Sequence, residues 1–198
     1  MIPFRKFDIP GFEVISAKLH TYINTYSQLG FFNPIPGEEV HKAVPEVQPI
    51  LDSLDMGKYN QVVFIKVAPD SHIGTPPHTD GKPGNFPHRV AFNWPISNYI
   101  EPETVYYQLN EGCKPVEYMI YEQQVKRGET PRKNLPEIHF HTYRMEDVTE
   151  THRFTLNTPT LIRVDVPHNV INKTKTFRLS ASFRFAENPW HLLENQHE

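Results

Sequence analysis

Residues 74–81 read GTPPHTDG and set an imidazole, His78, two positions before a carboxylate, Asp80, directly behind Pro76 and Pro77. In an extended backbone residues i and i+2 point to the same face. A nitrogen donor and an anionic oxygen then converge on one point. Such a pair is half of a metal site, or a polar turn in which Asp80 caps Gly81. A further donor has to come from elsewhere in the chain. His168, in VPHNV behind the β-like run at 160–166, is the leading candidate, although taken alone it also reads as a turn histidine. Two imidazoles and one carboxylate on one side of a divalent ion suit iron and leave coordination positions open for other ligands.

Ten positions after His168 comes Arg178, in the run TFRLSASFRF at 176–185. On a strand, Arg178, Ser180, Ser182 and Arg184 share one face, and Leu179, Ala181, Phe183 and Phe185 share the other. A face of arginine and serine turned into a β core is unfavourable unless it meets an anion. Arginine grips a carboxylate with two parallel hydrogen bonds, and a serine hydroxyl adds another. The competing reading is a solvated face, and for Arg184 taken alone a solvated position is the expectation.

Taken in order, HTD, PHNV and FRLS resemble the HxD…H…RxS pattern of the Fe(II)/2-oxoglutarate-dependent dioxygenases. The context is similar to the branch that includes aspartyl/asparaginyl β-hydroxylases and related phage and bacterial proteins. The HxD and RxS elements are short; their order and spacing carry the specificity of the match, which extends over residues 61–185. The resemblance implies a double-stranded β-helix, a cupin-like jelly roll with helical support. It implies Fe(II) on His78, Asp80 and His168, and 2-oxoglutarate held through its distal carboxylate by Arg178 and Ser180. It implies O2 as the second co-substrate and hydroxylation of a C–H bond as the reaction. In that branch an arginine follows the first ligand motif by about ten residues. Arg89 fills that place and is a further cofactor-binding candidate. The long segment before 152–157 has no clear counterpart in the family, so the prime substrate stays open.

These residues need elements to position them. One helix is expected over 12–29, with apolar residues at Phe12, Ile15, Leu19, Tyr22, Ile23 and Tyr26 and Gly30 as a stop. A shorter one is expected over 45–54, with Pro45 suited to its first position and Pro49 working against it. Strands follow at 61–67, 88–96, 104–109, 117–124, 137–143, 152–157, 160–166 and 176–185. Helices first and strands afterwards indicate a mainly β core with helices packed on one face. Within the run at 88–96, Val90, Phe92 and Trp94 make the side that meets those helices. The expected organisation is a single domain over 1–198, with 1–58 as N-terminal helical support, 59–186 as the β core and an insertion near 110–150.

Composition narrows the function classes. Twenty Lys and Arg against 23 Asp and Glu give a formal net charge of −3, and no block of like charge appears, so nothing argues for nucleic acid or a membrane surface as partner. A single cysteine, Cys113, excludes an internal disulfide framework and fits a reducing, cytoplasmic setting. It has no histidine nearby in sequence to activate it as a nucleophile. The opening MIPFRKFDIPGF lacks the apolar stretch of a secretory signal, and no run reaches membrane-spanning length. His139 and His141, in HFH, form another same-face pair with His152 not far along, and they read as solvent-facing positions of the insertion. His72 and His88 flank the first motif and read as structural. Tyr106 and Tyr107 point to opposite faces, and either can serve the cavity. Two rivals stand beside the oxygenase: a non-catalytic jelly-roll protein that binds a metal or a small acid, and a cupin-type iron enzyme without 2-oxoglutarate, in which Arg178 holds the substrate itself.

Overall fold

The computed structural model describes residues 2–26, 30–71, 76–81, 89–97, 99–122 and 137–194. In chain order the elements are β1 (Phe4–Lys6), α1 (Phe12–Ile23), β2 (Phe32–Pro36), α2 (Gly37–Ala43), α3 (Val47–Ser53), β3 (Tyr59–Val67), β4 (His78–Asp80) and β5 (Val90–Ser97). There follow β6 (Glu103–Leu109), β7 (Glu117–Glu122), β8 (Glu137–Thr142), β9 (Val148–Thr155), β10 (Thr160–Arg163), β11 (His168–Ile171), β12 (Arg178–Phe185) and α4 (His191–Glu194). The strands form two antiparallel sheets, β1-β10-β5-β12-β3-β2 and β7-β8-β4-β11-β6-β9. The chain is therefore mainly β, as the strand spacing indicates.

Alternation along β12 divides the interior. Leu179, Ala181, Phe183 and Phe185 join Val62, Phe64, Phe92 and Trp94 in a core closed by Phe12, Ile15, Leu19 and Ile23 of α1. This is the face-to-helix packing that the Val90, Phe92, Trp94 pattern predicts. The opposite faces of the two sheets meet in smaller clusters: Ala91 and Ile162 with Tyr106 and Phe154, and Phe32 and Val63 with Ile138 and Phe140.

One polar contact pins the helix to the sheet. The indole Nε1–H of Trp94 donates to Ser16 Oγ at 3.1 Å, and the Ser16 hydroxyl lies 2.6 Å from the carbonyl of Pro95. Ser16 and Trp94 are both buried. Ser16→Ala is expected to cost about 1–3 kcal/mol, the usual price of weakening buried hydrogen-bond partners. Chemical denaturation checks this, and a midpoint equal to wild type would show the contact to be idle.

Several expected boundaries shift. The helix expected over 12–29 ends at Ile23, where Asn24 and Thr25 turn the chain. Tyr26 still reaches the core, and residues 27–29 lie outside the described residues. The helix expected over 45–54 is α3, in which Pro49 falls in the first turn, where a backbone donor is not needed. The helix α2 was not anticipated. It starts on Gly37, where a Cβ would stand 2.8 Å from the backbone carbon of Asn60, so a side chain there would drive the helix off β3. The strand β2 carries Pro34 and Pro36, which hide it from a strand pattern; it lies at the edge of its sheet, where proline is tolerated.

The segment 110–150 is only partly an insertion. Its residues 117–122 and 137–142 are β7 and β8, and β8 pairs directly with β4, Thr79 opposite His141. Residues 123–136 lie outside the described residues. The strand expected to begin at residue 88 starts at Val90, and the one expected over 160–166 stops at Arg163 and yields to the separate strand β11. No helix among the described residues is long and apolar enough to cross a membrane.

Candidate metal centre

β4 and β11 are neighbours in the second sheet, with His168 directly opposite His78. Strand alternation then sends His78, Asp80 and His168 to the same side, toward the first sheet. All three are buried, and one ligand atom from each lies within 4.8 Å of the other two. One distant position, His168, and the two-residue motif of His78 and Asp80 are thus brought to one point, as their types suggest.

Backbone hydrogen bonds fix both rings. His78 Nδ1 lies 2.9 Å from the Pro76 carbonyl, and His168 Nδ1 lies 2.9 Å from the Val166 carbonyl. A carbonyl oxygen only accepts, so Nδ1 carries the hydrogen in each ring and Nε2 keeps its lone pair. Burial lowers the pKa of His78 to about 4 and also pulls that of His168 down. Both imidazoles are therefore neutral near pH 7, the form that ligates metals. Phe140 packs edge-on against His78 at a centroid distance of 4.9 Å and, with Phe32, closes this side of the site.

Asp80 completes the donor set. His78 Nε2 is 3.8 Å from Asp80 Oδ1, and Asp80 Oδ2 accepts from Arg184 Nη2 at 2.5 Å. Asp80 Oδ1 is buried without a hydrogen-bond partner among the described residues. Two neutral imidazoles with free Nε2 lone pairs and one unpartnered carboxylate oxygen fit a divalent transition-metal ion.

A cavity of about 300 Å³ runs between the sheets from this cluster. Its polar wall is the inward face of β12. Arg178, Ser180, Ser182 and Arg184 all line it and all are buried, whereas Ile65, Val67, Val164 and Val170 supply apolar walls. Arg178 Nε and Nη1 and Ser180 Oγ have no hydrogen-bond partner among the described residues. Burial lowers the Arg178 pKa to about 10, which still leaves the guanidinium charged near pH 7. A buried cation with unused donors calls for an anion.

The expected site residues do not all arrive. Arg89 stands outside the cavity. It precedes β5, is half exposed, pairs with Asp165 through Nε at 3.2 Å and lies over the Trp190 ring at 3.9 Å. The alternation that turns Asn93 inward does not reach it, because the strand begins one residue later. Arg184 is corrected in the other direction: it is buried and paired with Asp80, not solvated.

His139 is not solvent-facing either. It is buried on β8, makes a short contact with the Tyr118 hydroxyl and pairs with Glu137 at 3.0 Å, while His141 is half-buried beside Tyr118. His139 and His141 face away from Phe140 and so away from the cavity, and His152 is exposed. His72 and His88 lie outside the described residues. Of the two tyrosines, Tyr106 packs beside His168 and donates to the Arg163 carbonyl, and Tyr107 donates to Asn169 Oδ1. Asn93 and Thr104 also line the cavity and were not anticipated. Asn93 lies on the face of Ala91 in an otherwise apolar run, which is the signal that could have marked it.

No protein-family model matches the chain, and no curated protein matches it.

Proposed function

We propose that the chain is an Fe(II)- and 2-oxoglutarate-dependent oxygenase on a jelly-roll core of the double-stranded β-helix type. The observation that carries this reading is one cavity with two chemically complementary ends. A buried His78, Asp80 and His168 cluster lies on one side, and a buried, charged Arg178 with donors unused among the described residues lies on the other. The order HxD, H, RxS along the chain is that of the dioxygenases it resembles.

In this reading His78, Asp80 and His168 hold Fe(II). When bound, iron with O2 and the keto acid supplies the oxidising chemistry: 2-oxoglutarate, O2 and a C–H bond become succinate, CO2 and a C–OH group. The chain's own residues do the rest. Arg178 and Ser180 grip the distal carboxylate and aim the acid's other end at the cluster. Ile65, Val67 and Val170 exclude water along its length. The Pro76 and Val166 carbonyls hold the two imidazoles in the ligating tautomer. The motifs resemble those of the aspartyl/asparaginyl β-hydroxylase branch, and the prime substrate is left open.

The test is succinate formation without a prime substrate, since enzymes of this kind turn over slowly uncoupled. Purified protein with Fe(II), 2-oxoglutarate and O2 is expected to release succinate, and a chelator is expected to stop it. Binding of both metal and 2-oxoglutarate with no succinate would instead indicate a binding protein. Turnover of a substrate in the absence of 2-oxoglutarate would indicate a cupin-type iron enzyme.

A further inference from the structure

Arg178 and Arg184 lie on the same face of β12 and line the same cavity, yet their surroundings differ. Arg178 has no anionic partner among the described residues, whereas Arg184 is tied to Asp80. That tie has an unusual form. A buried arginine and carboxylate ordinarily meet fork to fork, through two parallel hydrogen bonds. Here a single nitrogen, Arg184 Nη2, meets a single oxygen, Asp80 Oδ2, at 2.5 Å. Asp80 Oδ1 and Arg184 Nε and Nη1 are left buried and without hydrogen-bond partners among the described residues. A pair that served stability alone would gain from closing the second bond. Instead the free oxygen is the one that faces His78 Nε2, at 3.8 Å.

We propose that Arg184 is a positioning residue: it occupies one oxygen of Asp80 and so restricts this carboxylate to a single ligating oxygen, Oδ1. The inference rests on the reading of His78, Asp80 and His168 as a metal centre. A carboxylate without this restraint can offer both oxygens to a divalent ion or rotate away from it. With Oδ2 held, Asp80 takes up one coordination position, and the second position that a bidentate carboxylate would occupy stays available to other ligands. The neutral imidazoles cannot do this work, since each is already fixed by its own backbone carbonyl. Arg184 thus acts on the metal through Asp80, as outer partners of metal ligands do.

The experiment titrates Co(II) into wild type, Arg184→Met and Arg184→Lys in the absence of any keto acid. It follows the visible absorption, which reports coordination number, with folding checked by circular dichroism. Wild type is expected to bind one Co(II). Arg184→Met is expected to bind about 10–100-fold more weakly, the usual cost of losing a partner of a ligand, and with a changed spectrum. Arg184→Lys keeps the charge on a shorter side chain with less reach to Oδ2 and is expected to fall between them. A folded Arg184→Met with wild-type affinity and spectrum would overturn the positioning role and leave Arg184 a structural partner of Asp80. Should Arg184→Met not fold, Arg184→Lys decides: weakened binding with a shifted spectrum supports the role, and wild-type behaviour overturns it. If wild type itself binds no Co(II), the metal reading fails and this inference falls with it.

Discussion

His168→Ala is expected to abolish stoichiometric Fe(II) binding while leaving the fold in place. The imidazole is one of three candidate donors, and its loss takes away a ligand rather than a partner of one. The drop in affinity should therefore exceed the roughly 10–100-fold that follows loss of an outer partner. The strand survives because β11 pairs with β4 and β6 through backbone groups, which alanine retains. Nor does the change strand a buried charge, since His168 is neutral in the folded chain near pH 7. Equilibrium dialysis of Fe(II) under anaerobic conditions, beside circular dichroism, measures both halves of the expectation. His78→Ala and Asp80→Ala should do the same to the metal. A His168→Ala protein that still takes up one ion per chain at wild-type affinity would place the donors elsewhere and remove this cluster as the centre.

What the residues alone reveal divides along a physical line. Features set by short-range periodicity were legible. The alternation of β12 placed Arg178, Ser180, Ser182 and Arg184 on one face, and all four line the cavity. The alternation of Val90, Phe92 and Trp94 marked the side that meets α1. The extended backbone at His78 and Asp80 put both on one side of β4.

Features set by partners distant in sequence were legible only where a motif pointed to them, as at His168. Arg184 reads as solvated until Asp80 is brought against it. Arg89 sits at the spacing the resemblance implies, but Asp165 and Trp190, from other parts of the chain, hold it on the outside. His139 is buried because β7 places Tyr118 over it, which no local pattern around HFH reveals. The strands β2 and β11 were missed for related reasons. Two prolines mask the first, and the second is only four residues long, with its pairing supplied by β4 and β6.

Arg178→Ala is expected to leave Fe(II) binding nearly intact and to weaken 2-oxoglutarate binding by about 3 kcal/mol or more, which is at least about a hundredfold. The figure follows from two hydrogen bonds to a charged group, each worth about 1.5–3 kcal/mol. Metal binding is spared because Arg178 is not among the clustered donors. Arg178→Lys should recover only part of the loss, since an ammonium lacks the planar fork. Ser180→Ala should cost about 1 kcal/mol, a single neutral hydrogen bond. Anaerobic titration of 2-oxoglutarate into the Fe(II)-loaded protein, followed by the charge-transfer absorption that chelation produces, reads all three. A second measurement carries the opposite sign. Without a bound anion Arg178 is a buried cation with two donor nitrogens that have no partner among the described residues, and such a charge destabilises the fold that holds it. Arg178→Met keeps most of the side-chain volume and removes the charge, so the ligand-free variant should unfold at the same temperature as wild type or higher. A residue kept for the fold would lose stability on replacement, whereas one kept for an anion loses affinity and not stability. Equal 2-oxoglutarate affinity in wild type and Arg178→Ala would remove Arg178 as the clamp and leave Arg184 as the next cation to test.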